Sequence, residues 1–117
     1  MNEDLKKRTK DFALRIIRLY AAMPKSTEAQ VVGKQILRCG TSVGAQYRES
    51  QYAKSDADLI SKIEGSLQEL EETEYWLELI EEMGIFPPVQ LVPIRNETGE
   101  LKAILITIVK KIKGRKL

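Results

Sequence analysis

The sequence predicts an all-α protein, an antiparallel four-helix bundle running up-down-up-down. Three observations predict it. The 117 residues include only 7 Gly and 4 Pro, few for a turn-rich β fold. Apolar residues recur at steps of three and four in four successive segments. Short breaks separate those segments, and short connections make neighbouring helices antiparallel. The length is about that of one domain, and no linker, repeat or second domain is visible. Charged residues are 31% and hydrophobic residues 43% of the chain, a globular rather than a disordered balance. The expected helices cover about 4–22, 27–52, 56–83 and 88–113.

The first helix is expected from Asp4, a plausible N-cap, with Leu5, Phe12, Ile16 and Tyr20 on one stripe and Ala13 and Leu19 widening it. Met23-Pro24-Lys25 ends it, because the residue before a proline is pushed out of α geometry. The second helix starts at Ser26 or Thr27, and Thr27 with Gln30 fits a capping box. Val32, Ile36, Cys39, Val43 and Tyr47 form its buried stripe. Gly33, Gly40 and Gly44 lie inside it, each costing about 1 kcal/mol relative to Ala. Gly40 and Gly44, four apart, leave a groove for close approach of another helix.

The third helix begins after Ser55, where Ser55-x-x-Asp58 resembles a capping box and Asp56 and Asp58 suit the positive helix end. Ile60, Ile63, Leu67, Leu70, Leu77 and Ile80 make its main stripe. Trp76, Leu79 and Met83 form a second apolar flank, and Gly84 suits the position just past its end. In the fourth segment Pro88 stands where a helix can begin. Pro93 and Gly99 argue against regular helix over its first turns. Beyond them Leu101, Leu105, Ile108 and Ile112 keep helical spacing. The β-branched content there would suit a strand, but a lone strand beside three helices has nothing to pair with.

The net charge is +2, which conceals segregation. Residues 1–54 hold 11 basic and 5 acidic side chains, residues 55–100 hold 2 and 12, and residues 101–117 hold 6 and none. Up-down-up-down order gathers Lys6, Lys7, Arg8, Lys10, Arg48, Lys54, Lys62, Lys110, Lys111, Lys113, Arg115 and Lys116 at one end. Glu28, Glu74, Glu78, Glu81 and Glu82 go to the other. A basic end of this density attracts phosphates. No groove-reading helix or stacking platform accompanies it, so contact with RNA or DNA is expected to read shape and charge.

Chemistry is constrained by what is missing. The chain has no His and one Cys, so it cannot supply the imidazole base of a Ser-His-Asp or Cys-His site. His- and Cys-based zinc sites and Glu-x-x-His di-iron sites are equally out of reach. The glutamates of the third helix permit an oxygen-only metal site in principle, but acidic residues beside a leucine stripe read as a solvated, ion-paired face. No catalytic residue, cofactor or metal is expected. Cys39 has no partner for a disulfide within the chain, and Met1 to Asp11 holds no signal-peptide core. The longest mostly apolar run, Ala103 to Val109, is far below the roughly 20 residues that span a bilayer. A cytoplasmic protein without a membrane partner is expected.

On the second helix Arg38, Ser42, Gln46 and Glu49 share a face beside the apolar stripe, either exposed or paired across a helix contact. The second flank of the third helix (Trp76, Leu79) and the all-round apolar fourth helix (Ile104, Ile106) exceed what one bundle can bury. A subunit interface is therefore expected along these residues.

Two stretches carry a family resemblance. Arg38-Cys39-Gly40-Thr41-Ser42-Val43-Gly44-Ala45-Gln46-Tyr47-Arg48-Glu49-Ser50 is one. Ile63-Glu64-Gly65-Ser66-Leu67-Gln68-Glu69-Leu70, continuing to Tyr75-Trp76-Leu77-Glu78-Leu79, is the other. Together they resemble the bacterial four-helix-bundle family first known as products of intervening sequences in 23S ribosomal RNA genes, over roughly Lys10 to Lys113. The resemblance implies a homopentamer and assigns Arg38, Ser42, Gln46 and Glu49 to the family's polar row. It also implies kinship with the accessory variability determinant proteins of diversity-generating retroelements, which bind nucleic acid and a reverse transcriptase. The function expected is therefore a non-enzymatic oligomer offering a basic end to RNA, DNA or a reverse transcriptase. The rival is a scaffolding oligomer that binds no nucleic acid.

Overall fold

A computed structural model describes residues 2–115. Four helices account for most of them: α1 (Asn2–Ala21), α2 (Thr27–Ser50), α3 (Asp56–Glu82) and α4 (Pro88–Gly114). No strand occurs among the described residues. Side-chain pairs give the order up-down-up-down. Thr9, Ile16 and Tyr20 of α1 lie against Gly44, Gly40 and Gly33 of α2. Ser66 and Thr73 of α3 meet Val43 and Cys39 of α2. Lys102 and Arg95 of α4 meet Glu74 and Glu81 of α3. Each step along one helix goes backwards along its neighbour.

One core runs through the bundle, with Phe12, Ile16, Ile36, Cys39, Val43, Leu70, Leu77, Ile80, Leu101 and Leu105 fully buried. The expected groove at Gly40 and Gly44 is filled by α1. A methyl group on Gly40 would come 2.7 Å from the Ile16 side chain, and one on Gly44 would meet both the side chain and the backbone of Thr9, at 3.0 to 3.3 Å. The glycines thus exchange helix propensity for interaxial proximity.

Helix starts differ from the sequence expectation in detail. α1 already includes Asn2, so Asp4 is an exposed first-turn residue instead of the N-cap. α2 is capped by Ser26, whose hydroxyl accepts from the Ala29 N–H. Gln30 closes no box with Thr27, because its side chain is taken by the Tyr20 hydroxyl and the Pro24 carbonyl. At α3 the Ser55 hydroxyl accepts from the Asp58 N–H, while the Asp58 carboxylate accepts from the Lys54 N–H, one residue before the cap.

The largest difference is in α4, which is continuous from Pro88 through both Pro93 and Gly99. The physical reason is burial. Leu91, Ile94 and Thr98 continue the stripe of Leu101 and Leu105 at helical spacing and are all buried. Pro93 and Gly99 sit on the exposed face, where the carbonyl that proline leaves unpaired can meet solvent. Core packing outweighs the local cost. No helix of the described residues is long and apolar enough to cross a membrane.

Candidate functional site

The antiparallel order brings the start of α1, the end of α2, the start of α3 and the end of α4 to one end. Not all of its cations are free there. Arg8 turns inward to α4: its Nη2 is 2.7 Å from Glu97 Oε1, its Nε donates to Glu97 Oε2 at 3.1 Å, and Glu100 is 3.2 Å away. These carboxylates hold the guanidinium pKa above its ordinary value, the Glu97 hydrogen bond foremost. Arg8 ties α1 to α4 rather than facing outward. Lys7 pairs with Asp11, Lys62 with Glu49, Lys113 with Glu64 and Arg115 with Asp56. Lys6, Lys10, Arg48, Lys54, Lys110 and Lys111 are exposed, and none makes an ion pair among the described residues. Lys116 lies outside the described residues.

Between these cations a cleft of about 520 Å³ opens where α2 ends, α3 begins and α4 finishes. Leu59, Ile63, Ile108 and Ile112 form its apolar side, and Ser50, Gln51, Lys54 and Arg115 are among its polar lining. Sequence reasoning did not find it. Its residues come from a connection and three helix ends, where no periodic signal exists.

The polar row of α2 faces α3 of the same chain. Arg38 pairs with Glu72 at 2.8 Å and with Glu69 at 3.6 Å. Gln46 Nε2 donates to Glu69 Oε2 at 3.0 Å, and Gln46 Oε1 lies against Gly65, the position on α3 that leaves it room. Glu49 pairs with Lys62, while the Ser42 hydroxyl donates to the Arg38 carbonyl of its own helix. Glu69 is the centre of this seam. Burial pushes its carboxyl pKa up against the opposing pull of Arg38. Beneath it the Thr73 hydroxyl lies 3.2 Å from Cys39 Sγ, and burial raises the pKa of that thiol. An apolar setting of this kind makes a thiol inert. Ser66 and Thr73 had a readable signal: both are polar residues at buried register positions among Ile63, Leu70, Leu77 and Ile80.

The residues expected at a subunit interface divide. Trp76 and Ile104 are half-buried and pack against the core, and Leu79 is half-buried. Ile106 is exposed, as are Val89 and Val92 on α4, Leu14 and Ile17 on α1, and Tyr75 on α3. Tyr75 and Trp76 stand edge to face at 5.0 Å. The Trp76 indole N–H is buried and has no hydrogen-bond partner among the described residues.

A family profile described as 23S rRNA-intervening sequence protein matches residues 2–107. The chain belongs to that family. It is similar to a solved structure from Bacteroides thetaiotaomicron, described as a protein with unknown function from the S23 ribosomal protein family. The two are 42% identical, the match covers 90% of this chain and 97% of the other, and the TM-score is 0.85. No curated protein matches the chain. For this intervening-sequence protein the fold is thus shared with a relative whose own role is undefined, and function has to be argued from the chain's surfaces.

Proposed function

We propose that this protein is a non-enzymatic homo-oligomer whose basic end contacts the phosphate backbone of nucleic acid. The observation that supports it is the set of six exposed cations, Lys6, Lys10, Arg48, Lys54, Lys110 and Lys111, that make no ion pair among the described residues. Charge held this way, beside ion-paired neighbours and away from the acidic outer face of α3, suits counterion release from a polyanion. Contacts of this type position a strand without reading its sequence.

A separate observation supports self-association. The outer face of α1 carries exposed Leu14 and Ile17 beside exposed Arg18. The outer face of α3 carries Tyr75 among exposed Glu71, Glu78 and Glu82. Opposite charge around apolar centres on two different faces favours head-to-tail contact between copies, which closes into a ring when the rotation permits. The resemblance implies five copies. Joining them multiplies weak phosphate contacts into avidity. In its narrower form the proposal makes the protein an accessory of a retroelement reverse transcriptase, and predicts that the two copurify.

The test is fluorescence anisotropy with a labelled RNA strand. Replacing Arg48, Lys110 and Lys111 by Ala should weaken binding strongly, whereas Lys25→Ala with Lys34→Ala at the far end should not. Equal binding by both variants, or no binding by the native protein at low salt, favours the scaffolding oligomer. Light scattering decides the assembly: a stable monomer contradicts it.

A further inference from the structure

The cleft at the basic end has an asymmetric lining. On one side Leu59, Ile108 and Ile112 offer aliphatic surface, with Ile63 beneath. On the other side Ser50 is almost wholly buried. Its hydroxyl donates to the Tyr47 carbonyl and accepts from Gln51 Nε2 at 3.0 Å. This draws the Gln51 amide over the rim. Lys54 and Ser55 continue that rim, and Arg115 and Asp56 close it as an ion pair.

Three features specify the occupant. The volume, about 520 Å³, is that of a small-molecule site. A lining half polar and half aliphatic suits a flat group with an apolar face and hydrogen-bonding edges, and suits an acyl chain poorly. The exposed cations nearest to it, Lys54 and Arg115 on opposite parts of its rim, the latter shared with Asp56, call for negative charge on both sides of that group. An unpaired base between two phosphates meets all three requirements. A base inside a duplex does not, because its edges are paired and its faces stacked.

We infer that the cleft receives one unpaired nucleobase of a single-stranded nucleic acid, with its flanking phosphates on Lys54 and Arg115. This rests on the nucleic-acid function proposed above and adds a preference that charge alone does not give. A duplex has the higher charge density, so a purely electrostatic end binds duplex at least as well as single strand. Insertion of a base reverses that order, because only an unpaired base can bury its apolar face against Leu59, Ile108 and Ile112.

The experiment compares one labelled RNA strand, alone and annealed to its complement, in anisotropy titrations at low and moderate salt. Native protein should bind the single strand more tightly than the duplex at both salt concentrations. Leu59→Ala removes part of the aliphatic wall and should lower single-strand affinity towards the duplex level while leaving duplex affinity unchanged. Gln51→Ala, at an exposed position in the connection, should cut the preference while lowering the melting temperature only slightly for the lost hydrogen bond to Ser50, which keeps the test valid if the Leu59 variant folds poorly. Duplex binding equal to or tighter than single-strand binding overturns the inference and leaves the electrostatic function standing. So does a preference unchanged in both variants. Absence of binding to either form at low salt overturns both.

Discussion

At the end of the bundle where α1 stops and α4 starts, the connections hold several polar groups internally. The Tyr20 hydroxyl and the Pro24 carbonyl share the Gln30 side chain. Met23 is buried beneath that turn, Ser26 caps α2, and Gly84 at φ +71 turns the chain out of α3. Arg95 binds Glu81 at 2.6 Å. At the opposite end the connection between α2 and α3 leaves a cleft, and six cations make no ion pair among the described residues. Both ends keep open volume and exposed charge, for Arg15 and Arg18 line a cleft of about 370 Å³ at the first end, but the second has the larger cleft and more exposed cations without an ion pair among the described residues. The proposed phosphate contact is assigned to the second end because its exposed cations are more numerous and its cleft is larger.

Substitutions should separate the two ends by what they change. Leu91→Ala at the first end removes a fully buried side chain from α4 and should cost about 2–5 kcal/mol in denaturant unfolding. RNA affinity of the remaining folded protein should not change. Removing Arg48, Lys110 and Lys111 at the second end should do the reverse. Unfolding free energy should stay within about 0.5 kcal/mol, and the slope of log affinity against log salt should become shallower by about 0.7 for each single-strand phosphate no longer neutralised. Gly84→Ala forces a side chain into the left-handed region and should cost about 1–2 kcal/mol, read as a lower melting temperature. Gln30→Ala removes two hydrogen bonds from the turn into α2 and should cost about 1 kcal/mol.

The smallest effect is expected at the seam between the ends. Burial raises the Glu69 carboxyl pKa in the folded state, so the folded protein holds that proton more tightly than the unfolded chain. Its contribution therefore falls as pH rises from the unfolded value through the folded one, and recovers on acidification. Glu69→Gln should remove that component from the pH dependence of thermal unfolding. A steeper loss of stability with pH in the variant would contradict the assignment.

Much of the fold can be read from residue spacing. The α2 and α3 stripes, the break at Pro24 and the close approach at Gly40 and Gly44 all follow from local chemistry, and Ile16 and Thr9 occupy the expected groove. The first half of α4 cannot be read this way. Pro93 and Gly99 carry unfavourable local propensities, while the compensating burial of Leu91, Ile94 and Thr98 depends on three other helices. The cap of α2 falls on Ser26 because Gln30 finds partners in the preceding turn, again a non-local choice. The polar row is visible at Arg38, Ser42, Gln46 and Glu49, but its partners Glu69, Glu72 and Lys62 require knowing how α3 lies. For the basic end, the sequence locates the charges but not which of them pair. Helix order alone groups Arg8 with the outward cations, and only the geometry reveals that Glu97 and Glu100 claim it.

The most direct test of the proposed role is the salt dependence of RNA binding by the native protein. If the basic end engages a strand through these cations, log affinity should fall linearly with log salt, with a slope of about −3.5 to −4.2 for five or six neutralised phosphates per chain. Affinity independent of salt, or no measurable complex at the lowest salt, would contradict it.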